Sequence, residues 1–306
     1  MKAQILSILR GSAEAVSGES IGTRLGVSRV AIFKQIGKLR ELGYNIVSTP
    51  SGYQLRYEPD TLFPWAFPGR EDRMHYFPET GSTMELARKL AREGCPSLTV
   101  VTADIQTRGR GRLDRLWQSE EGGLYFTVVT RPRLTPDACH QVIFVASWIV
   151  AFLLSEMYAI DARLKWPNDV LVQGKKIAGM LSEIEAESDQ VLYVNIGIGI
   201  NMNNDVSGVT SPATSVKTIL GSRVSRRDFF AGFLDALEKH LGKEDFFGVL
   251  SRWKHMSDTL HRPVRIVTLK ETIEGVAEDI DADGALVVRQ KSGKSRRIVY
   301  GDCFHA

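Results

Sequence analysis

Apolar positions at the start of the chain recur at helical spacing. Ile5, Leu6, Ile8 and Leu9 predict a short amphipathic helix over Ala3–Leu9, and Ile21 and Leu25, four apart, predict a second over Glu19–Leu25. Gly26-Val27 makes a tight turn, after which Ser28 can accept a bond from an orphan N–H and open a third helix, Arg29–Leu42. Its expected core stripe is Val30, Phe33, Ile36 and Leu39 or Leu42, while Ser28, Arg29, Lys34, Gln35 and Lys38 are expected to face DNA. The period then changes to alternation. Gly43–Val47 and Gly52–Leu55 flank the turn Thr49-Pro50-Ser51-Gly52, as in a hairpin wing. Two short helices around a glycine turn, followed by such a hairpin, are similar to a winged helix-turn-helix, whose second helix enters the major groove. A winged helix used only for protein contacts is the alternative.

From Asp60 to Arg73 no period holds in the run DTLFPWAFPGREDR, which reads as a connector, with Trp65 and Phe67 expected against a neighbouring domain. Beyond it strand-like and helical runs alternate irregularly. Leu98–Ala103 and Tyr125–Thr130 read as strands, and Asp137–Met157 as a long buried helix. Arg163–Trp166, Ile177–Ile184 and Val191–Ile200 read as strands, with a hairpin turn near Gln173-Gly174. Arg227–Leu241 and Glu244–Trp253 return to helix. This is an α+β pattern with a mixed or antiparallel sheet rather than a regular βαβ repeat. Past His261, Val264–Leu269, Thr272–Asp279, Ala285–Gln290 and Arg296–Tyr300 are evenly spaced short strands, the signature of a small β-barrel.

Composition narrows the class. A chain of 306 residues is long enough for two or three domains, and 43% apolar with 25% charged residues excludes a disordered protein. Cys95, Cys139 and Cys303 are unpaired in number and spacing, which argues against a disulfide framework or a zinc site. The longest apolar run, Val142–Leu154, is shorter than the ~20 residues of a membrane span and reads as a core helix. The opening MKAQILSILRGSAEA resembles a signal peptide only until Arg10 interrupts its apolar stretch, so a cytoplasmic protein without a membrane partner is expected. The charge is uneven. Residues 1–58 hold eight basic and four acidic side chains, more than the whole chain's net +3, so the rest is slightly acidic. A basic N-terminal piece on a near-neutral body points to a nucleic-acid module joined to something else.

Four segments carry candidate chemistry. Thr80-Gly81-Ser82-Thr83 precedes a helix, Met84–Glu93, and its hydroxyls either cap that helix or bind a polar ligand group. Gln106 to Trp117 packs four arginines (Arg108, Arg110, Arg112, Arg115) with Gly109 and Gly111 into one loop. Glycines admit a phosphate to the backbone and arginines neutralise it, although the spacing is not that of a Walker loop. Trp117 directly after the loop can stack on adenine. Lys165-Trp166-Pro167-Asn168-Asp169, followed by Lys176 in GKKIAGML, sets an acid and a lysine across a hairpin, either as a salt bridge or as a ligand-holding pair. Ile196-Gly197-Ile198-Gly199-Ile200-Asn201 is a strand whose glycines leave room for a close approach.

In this order, TGST, GRGR with a following Trp, KWPND, GKKIAGML, IGIGINMN and the C-terminal HRPVRI closely resemble the bifunctional biotin protein ligases that also repress biotin genes. The resemblance covers nearly the whole chain. It implies a winged helix-turn-helix over residues 1–59, a connector over 60–73, a mixed-sheet ligase domain over 74–258 and an SH3-like barrel over 259–306. It also implies that biotin and Mg-ATP give biotinyl-5′-AMP, from which a carrier-protein lysine takes biotin, and that the adenylate-bound homodimer binds operator DNA. By the same resemblance Lys176, Arg110, Arg112 and Asp169 carry catalysis. Ser82, Thr83, Met84, Gln106, Arg110, Gly111, Arg112, Lys176, Gly197 and Gly199 hold biotin, and Arg112, Arg115, Trp117, Asn168, Lys176 and Asn201 hold ATP. For Asp169 the resemblance leaves two roles open, helping the incoming lysine lose its proton or assisting metal binding, so the metal ligands stay unknown. Two departures stand out: Asp114 replaces a loop glycine, and Met84 replaces an Asn. A lipoate or octanoate ligase, a sensing repressor without ligase activity, and a ligase without DNA binding are the competing readings.

Overall fold

A computed structural model of the chain describes residues 1–305 except 140, 189, 210–211 and 242–245, and leaves out the side chains of 114, 137 and 247. The chain forms two compact units, Met1–Asp72 and Arg73–Ala306.

The first unit holds helices α1 (Lys2–Arg10), α2 (Gly18–Leu25) and α3 (Arg29–Glu41), then the antiparallel hairpin β1 (Asn45–Thr49) and β2 (Gly52–Tyr57). Gly26 ends α2 in the left-handed conformation that an L side chain rarely adopts, and this reverses the chain into α3. Ser28 caps α3 by accepting a bond from the Ala31 N–H at 3.2 Å. The buried stripe of α3 is Ile32, Ile36 and Leu39. Val30 and Phe33, expected in the core, are instead 62% and 63% exposed, because 32, 36 and 39 lie on one helical face and 30 and 33 on another. Trp65 packs back on the hairpin side of this unit, donating to the Tyr44 hydroxyl at 3.1 Å and stacking on Phe63.

The second unit is built on a seven-stranded sheet. Its elements are β3 (Met74–Thr80), α4 (Thr83–Arg92), β4 (Thr99–Gln106), β5 (Leu124–Thr130), α5 (Gln141–Tyr158), β6 (Ala162–Lys165), β7 (Asp169–Val172), β8 (Lys175–Glu187) and β9 (Gln190–Ile200). Helices α6 (Val216–Leu220), α7 (Arg226–Leu241) and α8 (Phe246–His255) follow. The sheet order is β3-β4-β5-β9-β8-β7-β6, with only β3–β4 parallel. Strands β3 and β7 are additions to the pattern read from the sequence.

Strand alternation divides the two faces. Phe126 on β5 meets Phe230 and Phe233 of α7 edge-on, whereas the next-but-two residue, Val129, clusters with Ala87 and Ala91 of α4. Helix α5 is apolar enough to cross a membrane by length and composition, yet most of it is buried, and Trp253 of α8 donates to its Ser147 hydroxyl at 3.0 Å. It is the core helix that the sequence indicated.

The C-terminal strands are β10 (Pro263–Val267), β11 (Thr272–Ile280), β12 (Leu286–Arg289), β13 (Ser295–Ile298) and β14 (Asp302–His305). They form one antiparallel sheet in the order β13-β12-β11-β10-β14, so the expected four strands are five. Trp166 ties this sheet to the larger one, donating from its ring to the Gly284 carbonyl at 3.1 Å.

Candidate functional site

A cleft of about 810 Å³ opens on the α4 face of the large sheet. Its floor is the face of β9 that carries Gly197, Gly199 and Asn201, its walls are α4 and the loop after β4, and the hairpin β7–β8 closes one side. All the residues expected to carry catalysis or to bind biotin or ATP line it: Ser82, Thr83, Met84, Gln106, Arg110, Gly111, Arg112, Arg115, Trp117, Asn168, Asp169, Lys176, Gly197, Gly199 and Asn201.

At one end, Ser82 opens α4 without a side-chain cap bond, which removes capping as the reason for its hydroxyl. Gln106 is a latch. Its Oε1 accepts from the Thr83 N–H at 2.9 Å and the Thr83 hydroxyl at 3.1 Å, and its Nε2 donates to Ser119 Oγ at 2.9 Å. The Thr83 and Thr127 hydroxyls are 2.9 Å apart. The glycines of β9 admit side chains of this same chain. A Cβ on Gly197 would meet Met84 Cε at 2.6 Å, and one on Gly199 would meet Trp117 Nε1 at 2.4 Å. The Trp117 indole therefore lies on the strand, with the Lys176 ammonium 5.3 Å from its ring centre.

Four cations of the cleft, Lys176, Arg110, Arg112 and Arg115, each lie within ion-pair reach of a carboxylate. Lys176 pairs with Asp169 at 2.6 Å across the β7–β8 hairpin, so the salt-bridge reading of that pair holds, inside a ligand-sized cleft. Arg110 reaches Glu183 at 3.2 Å, a carboxylate also gripped by Arg88. Arg115 pairs with Asp302 of β14; Arg112 lies 4.0 Å from the same acid and donates to the Gly301 carbonyl at 3.1 Å. Burial lowers the Arg112 pKa, offset in part by Asp302 and Asp169, and Arg112 remains charged at any physiological pH. Asn168 accepts from Arg112 at 3.4 Å and donates to the Met180 carbonyl, and the Asn201 side chain accepts from Asn204 at 3.1 Å. Burial pushes the Cys303 thiol at the cleft edge up to about 12, so it supplies no thiolate nucleophile at neutral pH. Burial likewise lowers the His305 imidazole, with Lys165 adding to the effect.

Sequence reasoning did not find Glu183 or Asp302. Asp302 comes from a strand that the pattern missed, and its partner arginines lie more than a hundred residues earlier, so no local spacing signals it. In the loop, Leu113, next to the Asp114 that replaces a glycine, takes the left-handed conformation, with φ of 51°. On α3, Arg29, Lys34 and Lys38 are exposed, Gln35 is half-buried, and the Ser28 hydroxyl is engaged in capping.

Comparison with known proteins agrees with this layout. The Biotin/lipoate A/B protein ligase family model matches residues 76–201, an HTH domain model matches 2–54, and the Biotin protein ligase C terminal domain model matches 259–306. The Bifunctional ligase/repressor BirA of Bacillus subtilis (strain 168) is 32% identical over 295 residues, 92% of this chain and 91% of that protein. Its Escherichia coli (strain K12) namesake is 30% identical, covering 93% of this chain and 91% of that protein. Among solved structures, a biotin protein ligase from Aquifex aeolicus in complex with biotin and ATP aligns with a TM-score of 0.65 at 28% identity, over 76% of this chain and 99% of that one. With the three segments in the same order and the identity spread along nearly its full length, this chain belongs to the family of bifunctional biotin ligase/repressors.

Proposed function

We propose that the chain is a cytoplasmic enzyme that joins biotin to ATP, giving biotinyl-5′-AMP and pyrophosphate, and passes biotin to a lysine of a carboxylase's carrier protein. In the adenylate-bound state it dimerises and represses genes through its winged helix. The observation that carries the enzymatic part is the convergence of Lys176, Arg110 and Arg112 over a strand floored by Gly197 and Gly199. Two anions, a carboxylate and an α-phosphate, repel each other until fixed cations hold them in line.

In the first step a biotin carboxylate oxygen forms a bond to the α-phosphorus, and the bond from that phosphorus to the bridging oxygen breaks as pyrophosphate leaves. Lys176 spans carboxylate and α-phosphate, Arg110 and Arg112 neutralise the phosphates, and Asp169 holds the Lys176 ammonium in place. In the second step the neutral acceptor amine bonds to the acyl carbon, AMP departs and one proton is released. Ser82 and Thr83, with Gln106 fixing Thr83, meet the polar ring of biotin, and Met84 packs its apolar side. Trp117 stacks on adenine, and Arg115, Asn168 and Asn201 hold the nucleotide. The carboxylates now paired with these cations, Glu183 and Asp302, release them to the incoming phosphates.

The cleft's carboxylates do not fit a metal held by the protein. No group of three or more metal-capable side chains occurs among the described residues, and Asp169 in the cleft is paired with Lys176. Magnesium would therefore travel on the phosphates of ATP, and no step is assigned to it.

The deciding test is ATP–pyrophosphate exchange with biotin, with lipoate and with no acid. Exchange driven by biotin alone supports the reading, exchange with lipoate moves it to the lipoate branch, and biotin binding without exchange makes the chain a sensing repressor.

A further inference from the structure

The exposed face of α3 holds more than cations. Val30 and Phe33 are 62% and 63% exposed, among the most exposed large apolar side chains described. Beside them lies Gly37, in the middle of the helix and on its open side, where an added Cβ would meet nothing within 4 Å. A glycine inside a helix weakens it, and here no packing within the chain calls for one. An apolar pair next to a position lacking a side chain is a surface shaped for something that comes close. Its border sets the charge of that partner: Arg29, Lys34 and Lys38, on the same helix, are exposed. A polyanion with apolar groups at its contact surface fits these features. In the major groove of DNA, the apolar group between the phosphate rows is the 5-methyl of thymine.

We infer that Val30 and Phe33 read thymine methyl groups in the major groove, with Gly37 giving the base edges room and Arg29, Lys34 and Lys38 neutralising the flanking phosphates. This rests on the proposed DNA binding of the winged helix and adds the base chemistry that it recognises. Of the residues expected to face DNA, Gln35 is half-buried and has no part in this readout.

The test uses the full-length protein with biotin and ATP. Duplexes are selected from a random-core library, and the tightest is resynthesised with deoxyuridine replacing each thymidine in turn. Uracil lacks only the methyl group. One or two positions per half-site are expected to lose about fourfold in affinity each, the factor that one buried methyl group supplies. In Phe33→Ala the thymine-to-uracil ratio falls to near one at the position that Phe33 reads, while the salt dependence of binding is unchanged because no phosphate contact is lost. Lys38→Ala does the reverse, reducing the salt slope by about one and keeping the ratio. Gly37→Ala raises the unfolding temperature yet weakens binding, a combination that a purely structural glycine would not give. Uracil tolerated at every position, or ratios that survive Phe33→Ala at all of the sensitive positions, overturn the inference while leaving DNA binding intact. Loss of self-association in Phe33→Ala overturns it too, by making this face a protein contact. Failure to select any duplex removes DNA binding and this inference together.

Discussion

Lys176 and Gly199 act in the same cleft for opposite reasons, one by its charge and the other by its lack of a side chain. Lys176 is about a third exposed and pairs with Asp169, so its loss removes little packing. Lys176→Ala is expected to lower biotin-dependent pyrophosphate exchange by about 100-fold or more, the scale of one preorganised charge donor, with the unfolding temperature nearly unchanged. A variant that exchanges at the wild-type rate would take Lys176 out of the mechanism. Gly199→Ala places a Cβ 2.4 Å from Trp117 Nε1 and forces the indole off the strand. Overpacking of this kind costs about 1–3 kcal/mol of stability, and both ATP and biotin affinity are expected to fall, because the displaced indole serves the nucleotide and Gly199 floors the biotin site. Isothermal titration of each ligand separates the two effects.

At the scale of elements, charge fixes the edge of the C-terminal sheet. Strand β13 pairs only with β12, and its arginines reach outward: Arg296 to Glu271 at 2.7 Å, and Arg297 to Asp281 and Asp283. The Arg296 bond holds the Glu271 carboxyl below its ordinary 4.5. Burial opposes the same trend at Asp281, but Arg297 and the Ala285 N–H prevail and hold it below 3.8. A carboxylate whose pKa is depressed by folding stabilises the fold above its unfolded value and loses that contribution as pH falls toward its folded one. Amide protection over residues 295–298 is therefore expected to drop below about pH 4.5, ahead of β10 and β11. Arg297→Ala should bring that loss to neutral pH, read by hydrogen exchange. Protection that stays level across this range would show that backbone pairing with β12 alone holds the strand.

For the molecule as a whole, the two compact units predict separable behaviour. Residues 1–72 carry their own core of Ile5, Leu6, Ile21, Ile32, Ile36 and Leu39. Expressed alone, they are expected to fold cooperatively, although marginally for their length, and to bind DNA with an affinity indifferent to biotin. The full chain is expected to bind selected duplexes more tightly once biotin and ATP are added. Equal affinity with and without them would break the coupling between ligase and repressor. Circular dichroism of the fragment and salt-controlled DNA titrations of both forms check these outcomes.

The sequence by itself determined the elements and the chemistry. Helical and alternating periods mark which residues can be buried, so the winged helix, the buried α5 and the long strands β8 and β9 were legible in it. The motif residues were legible as well, because a ligand site needs particular groups and those groups sit in short runs. What it could not fix was phase and partnership. Periodicity allowed Val30 and Phe33 to be core, and only packing of α2 and the hairpin against α3 selected Ile32, Ile36 and Leu39 instead. Glycines at 197 and 199 announced a close approach, but that Met84 and Trp117 make it followed from the sheet bringing distant segments together. The same holds for Asp302 on Arg115 and Glu183 on Arg110. Local spacing encodes interactions within a turn or a hairpin, whereas contacts between residues many positions apart exist only once the whole fold has placed them.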